Sequence, residues 1–222
     1  MPDAAPVALV TEGPATGPAG GGLGHPPTAL RATIPTDGRL ARDWLMAIDG
    51  QPTDRQSIHD ELERVRADLH QLVAHATAAE LRRRTDGTRW TNGQMLWHMA
   101  FGFLIVRRLL PLARLFGRLP DPFSRTFASV LNAGTRLFHH VNYLGSCGGA
   151  LVFHGPRLNR QFDHTIDLLH RRLDAEPEAA LGYRMHFPVG WDPFFRDTMT
   201  LEQVYRYGTQ HYDFHRAQLT LK

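Results

Sequence analysis

Seven apolar residues, Ile58, Leu62, Val65, Leu69, Leu72, Ala76 and Ala79, recur at spacings of 4, 3, 4, 3, 4 and 3. Side chains in that rhythm fall on one stripe of an α-helix, and a stripe this long needs other helices to cover it. The pattern predicts a helix over residues 54–84, closed by Asp86-Gly87, and with it a bundle. A second helix is expected after Trp90, with Thr91 or Asn92 as its N-cap. It should run to Phe116, with Pro111 kinking it or splitting off its last turn. Its inner face reads His98, Gly102, Ile105, Leu109, Leu112 and Phe116.

A short helix over 122–138 follows, then a Gly-rich stretch, 139–155, read as a loop. A third main helix is expected from Pro156, a favoured first helical residue, to Leu173, with Leu158, Phe162, Ile166, Leu169 and Leu173 inside. A second long loop covers 177–198. The fourth helix starts at Thr200, where Gln203 completes a capping-box pattern, and its inner face reads Leu201, Val204, Gly208, His211 and His215. Nothing reads clearly as strand. The expectation is an all-α four-helix bundle with an extra short helix and long loops, occupying residues 54–222.

Residues 1–50 differ in kind. They hold 8 of the 20 Gly and 7 of the 15 Pro, including Gly20-Gly21-Gly22-Leu23-Gly24-His25-Pro26-Pro27. Such a segment reads as a largely disordered leader, in which Leu40–Ile48, with Trp44 and Leu45, could form a short docked helix. It has no cationic start before an apolar run and does not read as a secretory signal. The most apolar stretch, Met95–Phe116, is interrupted by charges and Pro111, so no membrane span is expected. The formal net charge of +3 and short clusters such as Arg82-Arg83-Arg84 do not make the dense basic face that nucleic acid requires. Cys147 is the only cysteine, so no internal disulfide is available, and it reads more simply as a small buried hydrophobe than as a reactive thiol. The reading is a soluble, cytoplasmic protein.

Thirteen histidines invite over-reading. His211 and His215 stand apart because residues four apart on a helix share a face, where two imidazoles can converge on one ion. Chance alone supplies about one such pair in a chain of this composition. Both, however, lie on the stripe that should face the core, and so does His98 on the second helix. Each helix also carries a glycine one turn away, Gly102 and Gly208, which could leave room for a ligand. Three buried imidazoles without partners would cost free energy. Either each ring is satisfied in the core by its own hydrogen bonds, or the three share a metal.

The segment Thr88-Arg89-Trp90-Thr91-Asn92-Gly93-Gln94-Met95-Leu96-Trp97-His98 resembles the DinB/YfiT-like motif that opens the second bundle helix and ends in a ligand histidine. Thr209-Gln210-His211-Tyr212-Asp213-Phe214-His215-Arg216-Ala217-Gln218-Leu219 resembles the last helix of that family. The resemblance covers residues 54–221. It implies a DinB-like up-down-down-up bundle with one divalent ion (zinc, nickel or iron) on His98, His211 and His215, and a homodimer as one form of assembly. Characterised members imply thiol-dependent transfer or isomerisation, with a low-molecular-weight thiol as cosubstrate, or hydrolysis.

Metal-bound imidazoles leave open positions for water, thiolate or a carbonyl oxygen. The second ring nitrogens should be held by carbonyls or carboxyls. Gln94, one turn before His98, either reaches the site or stays in the exposed first turn. Asp213 lies roughly 200° round the helix from His211 and should not be a ligand. Trp191, Phe194 and Phe195 either wall a substrate pocket or anchor their loop in the core. No catalytic side chain can be named. Two functions stay open: a metal-dependent enzyme acting on a small-molecule substrate, and a non-catalytic bundle binding an apolar ligand or partner protein.

Overall fold

The computed structural model describes residues 55–222. The leader expected to be disordered, the short helix expected over 40–48 and His25 lie outside the described residues. Eight helices and one short hairpin follow in order: α1 (Arg55–His75), α2 (Ala78–Arg82), α3 (Asn92–Phe116), α4 (Asp121–Ala133), α5 (Thr135–Val152), α6 (Pro156–Asp174), α7 (Glu178–Leu181), β1 (Arg184–His186), β2 (Thr198–Thr200) and α8 (Leu201–Arg216). The long helices α1, α3, α6 and α8 share one core, in the all-α bundle arrangement the stripes require. Among the described residues, no helix is long and apolar enough to cross a membrane.

The seam of α1 holds at Ile58, Leu62, Val65 and Leu69, all buried, but the helix stops at His75 rather than running to 84. Thr77 is the cause. Its hydroxyl accepts from the Glu80 N–H at 3.2 Å, and the Glu80 carboxylate accepts from the Thr77 N–H at 3.0 Å. This reciprocal cap starts α2 as a new helix. The turn that follows is tied by Thr85 N–H donating to the Trp90 carbonyl at 3.0 Å. Gly87 supplies its left-handed residue at φ 69°.

Thr91 caps α3, with Gln94 completing the box. Pro111 neither splits nor ends this helix, which continues to Phe116. The stripe expected to face the core does not do so along its length. Met95, Met99, Phe103, Val106, Leu110 and Ala113 are buried in the bundle, whereas Ile105 and Leu109 are half-buried on the adjacent face. The apolar arc of α3 is wide enough for two surfaces, and the expected stripe was the second.

Most of the stretch 139–155, read as a loop, is helical: α5 runs from Thr135 to Val152, and Gly134 separates it from α4. One of its glycines serves close packing. A β-carbon at Gly149 would lie 2.0 Å from Nε1 of Trp97, so the absence of a side chain is what lets α5 lie against α3. The segment 177–198 also departs from a plain loop, because β1 and β2 pair antiparallel with Met185 opposite Met199. His186, buried at the hairpin, contacts Asp197 at 3.1 Å and Asp121 of α4 at 3.0 Å. The third main helix matches its expected span and inner face.

The azimuth of α8 is set by polar contacts with α1. Arg206 pairs with Glu61, Thr209 donates to Glu61 at 2.7 Å, Asp213 accepts from Arg64 at 2.8 Å, and Arg216 pairs with Asp68 at 2.9 Å. Positions 206, 209, 213 and 216 make one face. Val204, Gly208, His211 and His215 are thereby turned toward α3. A β-carbon at Gly208 would meet Phe103 at 2.9 Å and Val106 at 3.3 Å. The gap left by that glycine is filled by the core of α3, not kept open for a ligand.

Candidate metal centre

The two faces just described bring His98 of α3 and His211 and His215 of α8 together. Each offers one ring nitrogen, and the three nitrogens lie within 4.8 Å of one another. Ring centroids are 4.9 Å apart for His98–His211, 4.7 Å for His98–His215 and 4.5 Å for His211–His215. Trp90, just before the cap of α3, packs over His98 with centroids 4.3 Å apart. His98 and His211 are buried and His215 is half-buried.

The hydrogen bonds fix which nitrogens are bare. Ser146 donates its one hydroxyl proton to the Asn142 carbonyl at 2.8 Å, so toward His98 Nδ1, at 3.1 Å, it must accept. His98 therefore carries its proton on Nδ1 and presents Nε2 as a lone pair. His215 Nδ1 faces the Gln218 side-chain oxygen at 2.7 Å, which leaves its Nε2 bare in the same way. The holder of His215 is a side-chain carbonyl oxygen, of the kind expected, whereas that of His98 is a hydroxyl. His211 Nδ1 is buried with no hydrogen-bond partner, and its ring fills the space beside Gly102, where a β-carbon would stand 2.8 Å from Nδ1.

Burial keeps all three rings neutral. His98 is held well below the ordinary histidine value, first by burial and then by the neighbouring rings. Burial brings His211 down to about 4. Burial and the neighbouring His211 bring His215 down to about 3, against the opposing Gln218 hydrogen bond and Asp192 charge. Neutral imidazoles with inward lone pairs are the donor set that a divalent transition metal takes. The residues present fit such an ion.

Asp192 was missed by the sequence reading. Its Oδ2 lies 3.6 Å from His211 Nε2 and accepts from the Tyr207 hydroxyl at 3.0 Å, while Oδ1 accepts from the Phe194 N–H at 2.9 Å. Burial pushes its carboxyl pKa up, against those two hydrogen bonds. The available signal was an acid set among Trp191, Phe194 and Phe195, where a charge is costly without a partner. Ser146 was hidden because its helix had been read as loop.

Other expectations resolve differently. Gln94 does not reach the histidines, because its side chain accepts from the Thr91 N–H at 2.9 Å. Asp213 turns away to Arg64. Cys147 is half-buried rather than buried. His59 and His170 face each other between α1 and α6, with Asp174 and Glu63 on their outer nitrogens. His70 pairs with Asp163.

A cavity opens beside the centre. His98, Phe101, Gly102, Ile105 and Leu109 of α3 line one side, and Phe127 and Leu131 of α4 with Phe138 and Asn142 of α5 line another. Met185, Phe187, Pro188, Trp191, Asp192 and Phe195 come from the hairpin and its loop, and Tyr207 and His211 from α8. Trp191 and Phe195 thus wall a pocket, whereas Phe194 packs on Phe214 at 5.3 Å.

A helical bundle that gathers three neutral histidines from two neighbouring helices beside an apolar cavity defines the class: an all-α protein with a candidate metal centre. The sequence profile of the DinB superfamily matches residues 61–219, and the chain belongs to that superfamily. No curated protein and no solved structure matches the chain. Membership and the histidine cluster are together compatible with a metal-dependent role.

Proposed function

We propose that the protein is a metal-dependent enzyme acting on a small molecule, with one divalent ion held by His98, His211 and His215. The observation that carries this reading is the convergence of one ring nitrogen from each of three uncharged imidazoles within 4.8 Å of one another. When bound, the ion would act as a Lewis acid toward a water, a thiol or a carbonyl oxygen. Zinc, nickel and iron all accept this donor set.

The chain's own residues have separate tasks. Ser146 and Gln218 hold His98 and His215 in the tautomer that points Nε2 inward. Asp192, fixed by Tyr207 and the Phe194 N–H, sets a negative charge beside His211 and can accept a proton released at the centre. The hairpin and α4 cover the cavity and limit water. A thiol as cosubstrate and hydrolysis are both chemistries this arrangement can support, and assembly as a homodimer remains part of the proposal.

Metal content of the purified full chain tests the reading. One ion per chain, lost in His98→Ala, His211→Ala and His215→Ala while helicity is kept, supports it. Metal-free protein whose stability is unchanged in all three variants favours a non-catalytic bundle that uses the apolar cavity to bind a ligand.

A further inference from the structure

The walls of the cavity beside the histidines restrict what can enter it. Phe101, Phe127, Phe138, Phe187, Trp191 and Phe195 give it an aromatic lining from four parts of the chain. Trp191 lies parallel to Phe138, with centroids 4.0 Å apart at 8°, and its Nε1 donates to the Leu131 carbonyl at 2.9 Å. That wall is flat and already fixed in place. The enclosed space is small, so the walls admit only a compact ligand body.

The polar groups are few and mostly engaged. Besides His98 and His211, the polar side chains in the wall are Asn142, Asp192 and Tyr207. The last two are bonded to each other, and the second carboxylate oxygen of Asp192 takes the Phe194 N–H. Among the described residues, neither Lys nor Arg lines the cavity. A phosphate, sulfonate or carboxylate on the far part of a ligand would be desolvated against aromatic rings with no counter-charge and with the Asp192 carboxylate nearby. A body rich in hydroxyls would leave most of them unpaired.

We infer that the substrate carries a single polar head, directed at His98 and His211, on a compact, uncharged apolar body. The role of the head rests on the metal-dependent reading above; the character of the body rests on the walls alone. A thiol would be accepted here with an alkyl or aryl body, and a thiol bearing a sugar or several carboxylates would not fit with its body inside the cavity. Asp192 is, in addition, the residue that rejects anionic bodies.

Benzyl alcohol and para-hydroxymethylbenzoate share a head and differ by one negative charge on the body. Their binding to the full chain, as purified and after chelator treatment, can be followed by ligand-observed NMR, with metal content measured on the same samples. Saturable binding of benzyl alcohol, with the benzoate about tenfold weaker or worse in the chelated sample, is the expected result. Ile105→Trp should abolish binding by filling the cavity. Asp192→Asn should narrow the difference between the two probes, and this second variant keeps the test decisive if the first does not fold. Equal binding of both probes to the chelated sample, or binding of neither to a chain that holds one ion, overturns the assignment. Benzyl alcohol binding to a chain that takes up no metal sustains the apolar body and removes the metal reading instead.

Discussion

Gly102 and His211 meet across the α3–α8 contact so closely that a β-carbon at residue 102 would stand 2.8 Å from Nδ1 and 3.2 Å from Cε1 of the imidazole. The glycine sets where that ring lies. Gly102→Ala should therefore push His211 out of register with His98 and His215 and weaken metal binding by about tenfold or more, because ligand positions tolerate only about 0.5 Å of error. Alanine also favours the helix by about 1 kcal/mol over glycine. Thermal unfolding of the metal-free variant should thus show stability held or raised while metal titration shows affinity lost.

Ser146 acts on the centre through His98. Ser146→Ala removes the acceptor that keeps the proton on Nδ1, and loss of such an outer partner typically costs about 10- to 100-fold in metal affinity. Competition with a chromophoric chelator reads this directly. An affinity equal to that of the unaltered chain would show that the tautomer is not set from α5.

Gly149 is required by packing rather than by chemistry. Gly149→Ala places a carbon 2.0 Å from Nε1 of Trp97, whose ring is buried and stacked on Phe153 at 4.5 Å. Overpacking of this kind costs roughly 1–3 kcal/mol, which exceeds the helix-propensity gain. Urea unfolding should show a lower midpoint with an unchanged slope, and α5 should lose amide protection before α6.

Acid should destabilise the metal-free chain from the ordinary histidine pKa downward. In the folded state His211 and His215 take up protons only near pH 4 and pH 3, against 6.5 for an unperturbed ring. Between 6.5 and these lower values the unfolded chain binds more protons, so stability is full above 6.5 and falls as the pH drops toward 4. The combined effect is on the order of a few kcal/mol. Denaturation midpoints at pH 7.5 and 5 measure it, and His211→Gln should flatten the dependence by removing one of the three buried rings.

Much of this arrangement was legible because periodicity reports burial. The stripes of α1, α6 and α8 located three bundle helices and put His211 and His215 on an inward face. For α3 the same signal was ambiguous. An apolar arc that serves both a core and a cavity offers more than one stripe, and the stripe through His98 belongs to the cavity. The end of α1 was missed because the pattern continues through Ala76 and Ala79 while the cap at Thr77 overrides it. Helix α5 was missed because Gly145, Gly148 and Gly149 read as breakers, although Gly149 answers a tryptophan 52 positions earlier in the chain. Asp192 and Ser146 were out of reach for a related reason: their partners are distant in sequence and their own segments carry no periodic signal.

The two-sided character of α3 separates two kinds of change along one helix. Met99, Phe103 and Val106 hold the bundle together, whereas Phe101, Ile105 and Leu109 face the chamber beside the histidines. Substitutions at the second set can reshape what the chamber admits while the scaffold stays intact, so α3 provides a ready register for redesigning ligand preference independently of folding.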